Sequence, residues 1–179
     1  EKLNSAELST DWGTRSISDK SSYFEPLNYN YGAVWPFLTS WVATAQYKHG
    51  LALQGFNSLK ASVNHTFDNA LGYVTEVFSG SHNIWPQEAV PHQGFCTAGV
   101  VLPLVRGMLG LEIDALAQEI TFAPQFPADW KEVRLENITA GNANFTLEYV
   151  RERERITIRI SSARAGGCTL KFTPHLPVQ

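Results

Sequence analysis

The sequence predicts an α+β protein, a helical first part followed by a strand-rich tail, with the change of character near Gly110. Two observations carry this. In the first part apolar residues recur at three- and four-residue steps, with glycines where helices would end. Beyond Ile120, short runs alternate apolar and polar residues between turn-forming stretches. The expected division is 1–110 and 111–179. At 44% apolar and 17% charged, the 179 residues suffice for one sizeable core or two small ones.

Residues 1–35 read mostly as irregular chain, with Asp11-Trp12-Gly13 and Ser16 to Ser22 as loop and turn. Pro36 then stands where a first helical turn favours proline, since its missing N–H costs nothing there. The helix from Phe37 to His49 carries Phe37, Leu38, Trp41, Val42 and Ala45, and is apolar around most of its circumference; Gly50 stops it. Leu53, Phe56, Leu59, Val63 and Phe67 place one face of a second helix, with Asn57, Lys60, Asn64 and Asp68 opposite. So tight a connection makes the two an antiparallel αα-hairpin. A third helix is expected from Gly94 to Leu109, with Pro103 forcing a kink or a late start. The loop before it, Gly72 to Gln93, is long and rich in aromatics, a poor composition for disorder, and reads as folded and functional.

Strands are expected at Glu119 to Phe122, Lys131 to Leu135, Asn144 to Val150, Arg155 to Ser161 and Cys168 to Phe172. Together they make an antiparallel sheet or sandwich. Arg155 to Ile160 alternates strictly, which predicts one buried and one wet face. Arg151 to Glu154 and Ala165-Gly166-Gly167 mark turns, and the alternating charges of the first mark a solvated hairpin tip.

Composition narrows the function classes. A net charge of −3 gives no electrostatic reason to expect nucleic acid or an anionic membrane as partner. Phe95 to Val105 is too short and interrupted for a bilayer span. A soluble, cytoplasmic setting is the expectation. Five histidines without HxxxH or HxH spacing predict no metal, and no cofactor is expected. Cys96 and Cys168 read as two buried thiols. Asn64, Asn137 and Asn144 head Asn-x-Ser/Thr triplets, which matter only in a eukaryotic secreted protein. The chain opens at Glu1 without a basic-then-apolar leader, and an all-round apolar helix needs neighbours; both read as signs of a longer protein.

Three features stand out chemically. Asn28 to Pro36 brings Tyr29, Tyr31 and Trp35 together with two amides, a set that suits the C–H faces and hydroxyl edges of a sugar. A loop that anchors itself with aromatics is the other reading. Thr75 to Gly80 holds Glu76 between apolar neighbours, where a partly desolvated carboxylate is an instrument of acid–base work; a surface glutamate is the alternative. Trp85-Pro86-Gln87-Glu88 and His92-Gln93-Gly94-Phe95 add a ring platform, a second carboxylate and further hydrogen-bonding groups, or else form a structural loop.

Trp12-Gly13-Thr14-Arg15-Ser16-Ile17-Ser18, followed by Tyr31-Gly32-Ala33-Val34-Trp35-Pro36, resembles the W-G-x-R-x-[LI]-S and N-G-[SA]-V-W-P segments of bacterial glycogen-debranching-type amylo-α-1,6-glucosidases. Glu76-Val77-Phe78-Ser79-Gly80 looks like that family's P-E-L-F-x-G. Gln93 to Gly99 with Leu109-Gly110-Leu111-Glu112 looks like its P-Q-A-W-A-A-G…L-G-L-E. The resemblance runs in order over nearly the whole chain. Thr75 stands for the proline before the glutamate, Phe37-Leu38-Thr39 for a His/Trp-Asp-Asn, and Tyr31 for an asparagine; Gln93 lies one residue further from Gly99 than the pattern has it.

The resemblance implies the last three helices or so of an (α/α)₆ toroid, and hydrolysis with inversion of an α-glucosidic bond, α-1,6 among the linkages to expect. Such a reaction uses two carboxyl groups about 6.5–9.5 Å apart. Glu76 matches the family's general base, and the acid belongs to an earlier part of the family's chain, so this chain by itself is expected to be inactive. Tyr29, Tyr31, Trp35, Trp85, Glu88, His92 and Gln93 are the expected sugar-contacting residues. The expected partners are an oligosaccharide or polysaccharide and the N-terminal part of the same enzyme. Other expectations are a non-catalytic carbohydrate-binding or scaffold module, and a sugar phosphorylase or epimerase on a similar toroid.

Overall fold

Trp35-Pro36 starts the first helix: Trp35 is extended, as the residue before a proline must be, and Pro36 fills the first helical position of α1 (Pro36–Lys48). Gly50, at φ 73°, makes the left-handed exit that a side chain would resist. The turn leads straight into α2 (Ala52–Asn64), which ends in a short 3₁₀ turn at His65–Phe67. Two very short strands, β1 (Ser9–Thr10) and β2 (Gly13–Thr14), precede them as an antiparallel pair. The computed structural model describes residues 2–164 and 166–173, and the chain falls into two units, Glu1–Met108 and Leu109–Gln179. The fold is α+β.

The first unit is held at Tyr47 of α1, which is almost wholly buried. A methyl added at Gly55 would lie 2.7 Å from its ring, and one at Gly107 would lie 2.6 Å from it. Two glycines thus let the elements that carry them approach the same aromatic ring closely. The third helix, α3 (Gly94–Leu102), is shorter than predicted. Pro103 has no N–H for the α-helical ladder, and the chain continues as a π-helical segment, Pro103–Met108. The apolar circumference expected of α1 leaves Trp41 57% exposed, in a cluster with Phe37 and Phe95 at ring separations of 4.9 and 5.0 Å.

The second unit carries β3 (Leu111–Asp114), β4 (Glu119–Phe122), β5 (Glu132–Ala140), β6 (Ala143–Glu152), β7 (Arg155–Arg164) and β8 (Thr169–Phe172). They form two three-stranded sheets, β3-β4-β8 and β5-β6-β7. The sequence missed β3, which its charges disguise. The sheets are also not wholly antiparallel, since β8 pairs parallel with β4. Leu111, Ile120, Phe122 and Leu170 of one sheet and Ile138, Phe145 and Leu147 of the other line a common apolar pocket, with Ile160 at its open side. Strict alternation at Arg155 to Ile160 does not give a buried face: Ile156 and Ile158 are half-buried and Ile160 is exposed, because β7 lies at the edge of its sheet beyond the central β6. Cys96 is buried, whereas Cys168, just before β8, is only half-buried. Among the described residues, no helix is long and apolar enough to cross a membrane.

Candidate functional site

Val74 to Gly80 is the spine of the site. Its β-branched and aromatic residues favour extended chain, and it takes up strand-like pairing without becoming a full strand. Val34 and Phe78 exchange both backbone hydrogen bonds at 2.9 Å. On the other side, the Glu76 N–H donates to the Val90 carbonyl at 3.0 Å and the Gln93 N–H to that of Val74 at 2.9 Å. Three stretches far apart in sequence, around residues 34, 76 and 90, are therefore fixed side by side, and every residue from Val74 to Gly80 is buried.

The Trp-Gly-Thr-Arg segment braces this spine from behind. Trp12 Nε1 donates to the Ser79 carbonyl at 2.9 Å, and Arg15 Nε to that of Gly80 at 2.6 Å. Gly13 sits at φ +139°, and a methyl there would lie 2.5 Å from Thr39 Oγ1, so only glycine lets β2 reach the start of α1. His65 completes the brace: Nε2 donates to the Trp12 carbonyl at 2.7 Å, Nδ1 lies 2.8 Å from Asp68 Oδ2, and the ring stacks on Phe78 at 3.9 Å. These residues carry no obvious chemistry, yet they set the position of what does.

Glu76 is 7% exposed, and among the described residues three donors surround its carboxylate. Tyr29 Oη donates to Oε1 at 2.7 Å, and Gln93 Nε2 donates to the same oxygen at 3.1 Å. The Val90 N–H approaches Oε2 at 3.4 Å. Hydrogen bonding to the Glu76 carboxylate pushes the Tyr29 phenol up to about 12, so it stays a donor at any ordinary pH. Tyr29 packs edge-on against Trp35 at 4.4 Å, and Trp35 Nε1 donates to the Tyr29 carbonyl at 2.9 Å. Trp35 itself rests on the buried Ala33, Val77 and Ala89. Behind the glutamate, the Cys96 thiol reaches its carbonyl at 3.5 Å, and burial pushes that thiol up to about 12.

Of the expected site residues, Tyr29 and Gln93 both donate to Glu76, and Trp35 is packed on Tyr29. The other four are on the same loops, with contacts of their own. Trp85 donates to the Ala89 carbonyl at 3.1 Å, folding the end of its loop back on itself. His92 packs on Tyr73 at 4.8 Å, Tyr31 faces Tyr23 at 6.4 Å, and Glu88 is exposed. Sequence reasoning did not pick out the Val90 N–H, Cys96 or His65 as members or supports of the site. A backbone donor has no side-chain signal, and a lone cysteine or histidine reads as core.

Chemically, the arrangement offers a buried, oriented carboxylate beside aromatic faces, with a tyrosine and an amide as donors. No group of three or more His, Cys, Asp or Glu side chains among the described residues comes together as a metal site. No protein-family model matches the chain, and none of the curated proteins compared with it is significantly similar.

Proposed function

We propose that this chain supplies the general base and part of the sugar-binding wall of an inverting glycoside hydrolase acting on α-glucosidic linkages, within a helical toroid of which it carries the last helices. The observation that supports the reading is Glu76: a buried carboxylate, bonded to Tyr29 and Gln93, beside the edge-packed rings of Tyr29 and Trp35. A carboxylate so held is oriented before substrate arrives, which general-base catalysis requires. Aromatic faces beside it suit the C–H face of a glucosyl ring. In this reading, Glu76 activates water on one face of the sugar, and a carboxylic acid elsewhere in the enzyme protonates the leaving oxygen on the other.

The test is Glu76→Gln in the full natural protein, assayed on α-linked gluco-oligosaccharides with and without an α-1,6 bond. Turnover is expected to fall by about 10²–10⁴-fold, the range of a lost general base, with the fold unchanged by circular dichroism. The wild-type product should appear first as the β-anomer by NMR. Wild-type-like turnover in the variant sinks the assignment. Saccharide binding without any turnover in the natural protein would instead favour a binding module.

A further inference from the structure

The two oxygens of Glu76 are not equivalent. An ionised carboxylate oxygen offers about two acceptor sites. Oε1 has both occupied, by Tyr29 Oη at 2.7 Å and Gln93 Nε2 at 3.1 Å. Among the described residues, Oε2 has only the Val90 N–H at 3.4 Å, beyond the ordinary N–H···O range of about 2.7–3.2 Å. An oxygen that is already the acceptor of two hydrogen bonds is a poor place to put a proton. We propose that Tyr29 and Gln93 are positioning residues that hold Glu76 through Oε1, and that Oε2 is the oxygen that takes the proton from the attacking water. This rests on the hydrolase reading above.

Both holders are themselves held. Trp35 grips Tyr29 by its carbonyl at 2.9 Å and by ring packing at 4.4 Å. Gln93 is the residue before α3, and its Oε1 accepts from the Gly94 N–H at 3.1 Å, which aims Nε2 at the glutamate. The Tyr29 phenol, at about 12, has no tendency to give up its proton near neutrality and so holds the carboxylate without competing for the base's role. In the step itself, a water O–H bond breaks and its proton passes to Oε2. The water oxygen bonds to the anomeric carbon as the glycosidic C–O bond breaks. That electron pair stays on the leaving oxygen, which is protonated by the carboxylic acid of the pair. Proton exchange with solvent then restores both carboxyl groups.

The experiment compares Tyr29→Phe with Glu76→Gln in the full natural protein, on the same α-linked gluco-oligosaccharide. If Oε2 is the working oxygen and Tyr29 its aim, kcat of Tyr29→Phe falls by about 10–100-fold, the size of one lost hydrogen bond to a charged group. KM stays within about threefold. Loss confined to KM, or no loss in Tyr29→Phe while Glu76→Gln is inactive, overturns the positioning role and leaves the base assignment intact. Wild-type-like turnover in Glu76→Gln overturns both. Alkaline titration of tyrosine absorbance provides a readout that does not depend on how Tyr29→Phe folds. In Glu76→Gln, one tyrosine should return from about 12 towards the ordinary value of 10.0. An unchanged titration curve there overturns the Tyr29–Glu76 bond itself.

Discussion

Replacing Gly80 by alanine should damage the site without touching any of its chemical groups. A methyl built at Gly80 would lie 2.1 Å from the Gly32 carbonyl oxygen, 3.1 Å from its carbon and 3.2 Å from Phe24 Cε2. Ordinary carbon–oxygen contact needs about 1 Å more than that first distance, and the obstacle is backbone, which has no rotamer to escape into. The Gly32 side is blocked as well, since a methyl there would lie 2.4 Å from the Glu25 carbonyl oxygen. The segment carrying Tyr29 must therefore move away from the segment carrying Glu76 by about 1 Å. Overpacking of this kind costs about 1–3 kcal/mol. It should lower the melting temperature of the helical unit by roughly 4–8 °C per kcal/mol. A displacement of that size is also enough to break the 2.7 Å Tyr29–Glu76 bond. The assay is thermal unfolding followed by tryptophan fluorescence, with alkaline tyrosine titration of the same variant. Gly94→Ala is the control, because nothing lies within 4 Å of a methyl there and its φ is ordinary. It should be neutral or stabilising by up to about 1 kcal/mol. Gly80→Ala with native stability and a native tyrosine titration would refute the claim that close backbone approach sets this site.

Three further outcomes follow from the same geometry. The Tyr29 phenol is raised in the folded chain, so the fold keeps a proton that the unfolded chain loses first; its stabilising contribution is complete below pH 10 and is lost as pH rises through about 12. Urea denaturation of wild type and Tyr29→Phe should accordingly converge across that window, and a constant gap would contradict the linkage. His65→Ala removes a ring stacked on Phe78 and strands the Trp12 carbonyl, and should destabilise the helical unit by about 2–4 kcal/mol in urea titrations. Native-state alkylation read by mass spectrometry should modify Cys168, which is half-buried, well before Cys96, which is buried with its thiol pushed up to about 12.

The elements most legible in the sequence were those specified locally. Pro36 and Gly50 bound α1 because each acts through its own backbone, and the period of Leu53, Phe56 and Leu59 gives α2, although the helix buries Gly55, Leu59, Ala61 and Ser62 while Leu53 and Phe67 of the expected apolar face are exposed. Less legible was whatever depends on a distant partner. The parallel pairing of β8 with β4 joins residues 119–122 to 169–172, and no local pattern announces it. The half-buried state of Ile156 and Ile158 follows from the edge position of β7, which alternation alone does not reveal. The site divides in the same way. Glu76 stands out through the resemblance of Glu76 to Gly80 to a family segment, since Thr75 and Val77 alone suit a surface glutamate; Trp85, Tyr31 and His92 take other partners and Glu88 is exposed. Composition shows which residues travel together on a loop but not which of them face one another.

Gln93 shows how local and distant requirements meet in one side chain. The residue before α3 must satisfy orphan N–H groups of the first turn, and its Oε1 accepts from Gly94. The same side chain must also donate to Glu76 Oε1 from its other atom, at 3.1 Å. A side-chain amide carries an acceptor and a donor on its two terminal atoms. A glutamate would keep the first bond but set a second carboxylate against Glu76, and a lysine would keep the second but leave the helix end uncapped. Flipping the amide would lose both bonds at once, so the orientation of Nε2 is fixed by the helix it precedes. The start of α3 is thus part of the aiming of the Glu76 carboxylate, which ties the geometry of the site to the packing of a helix and not only to the loop that carries the glutamate.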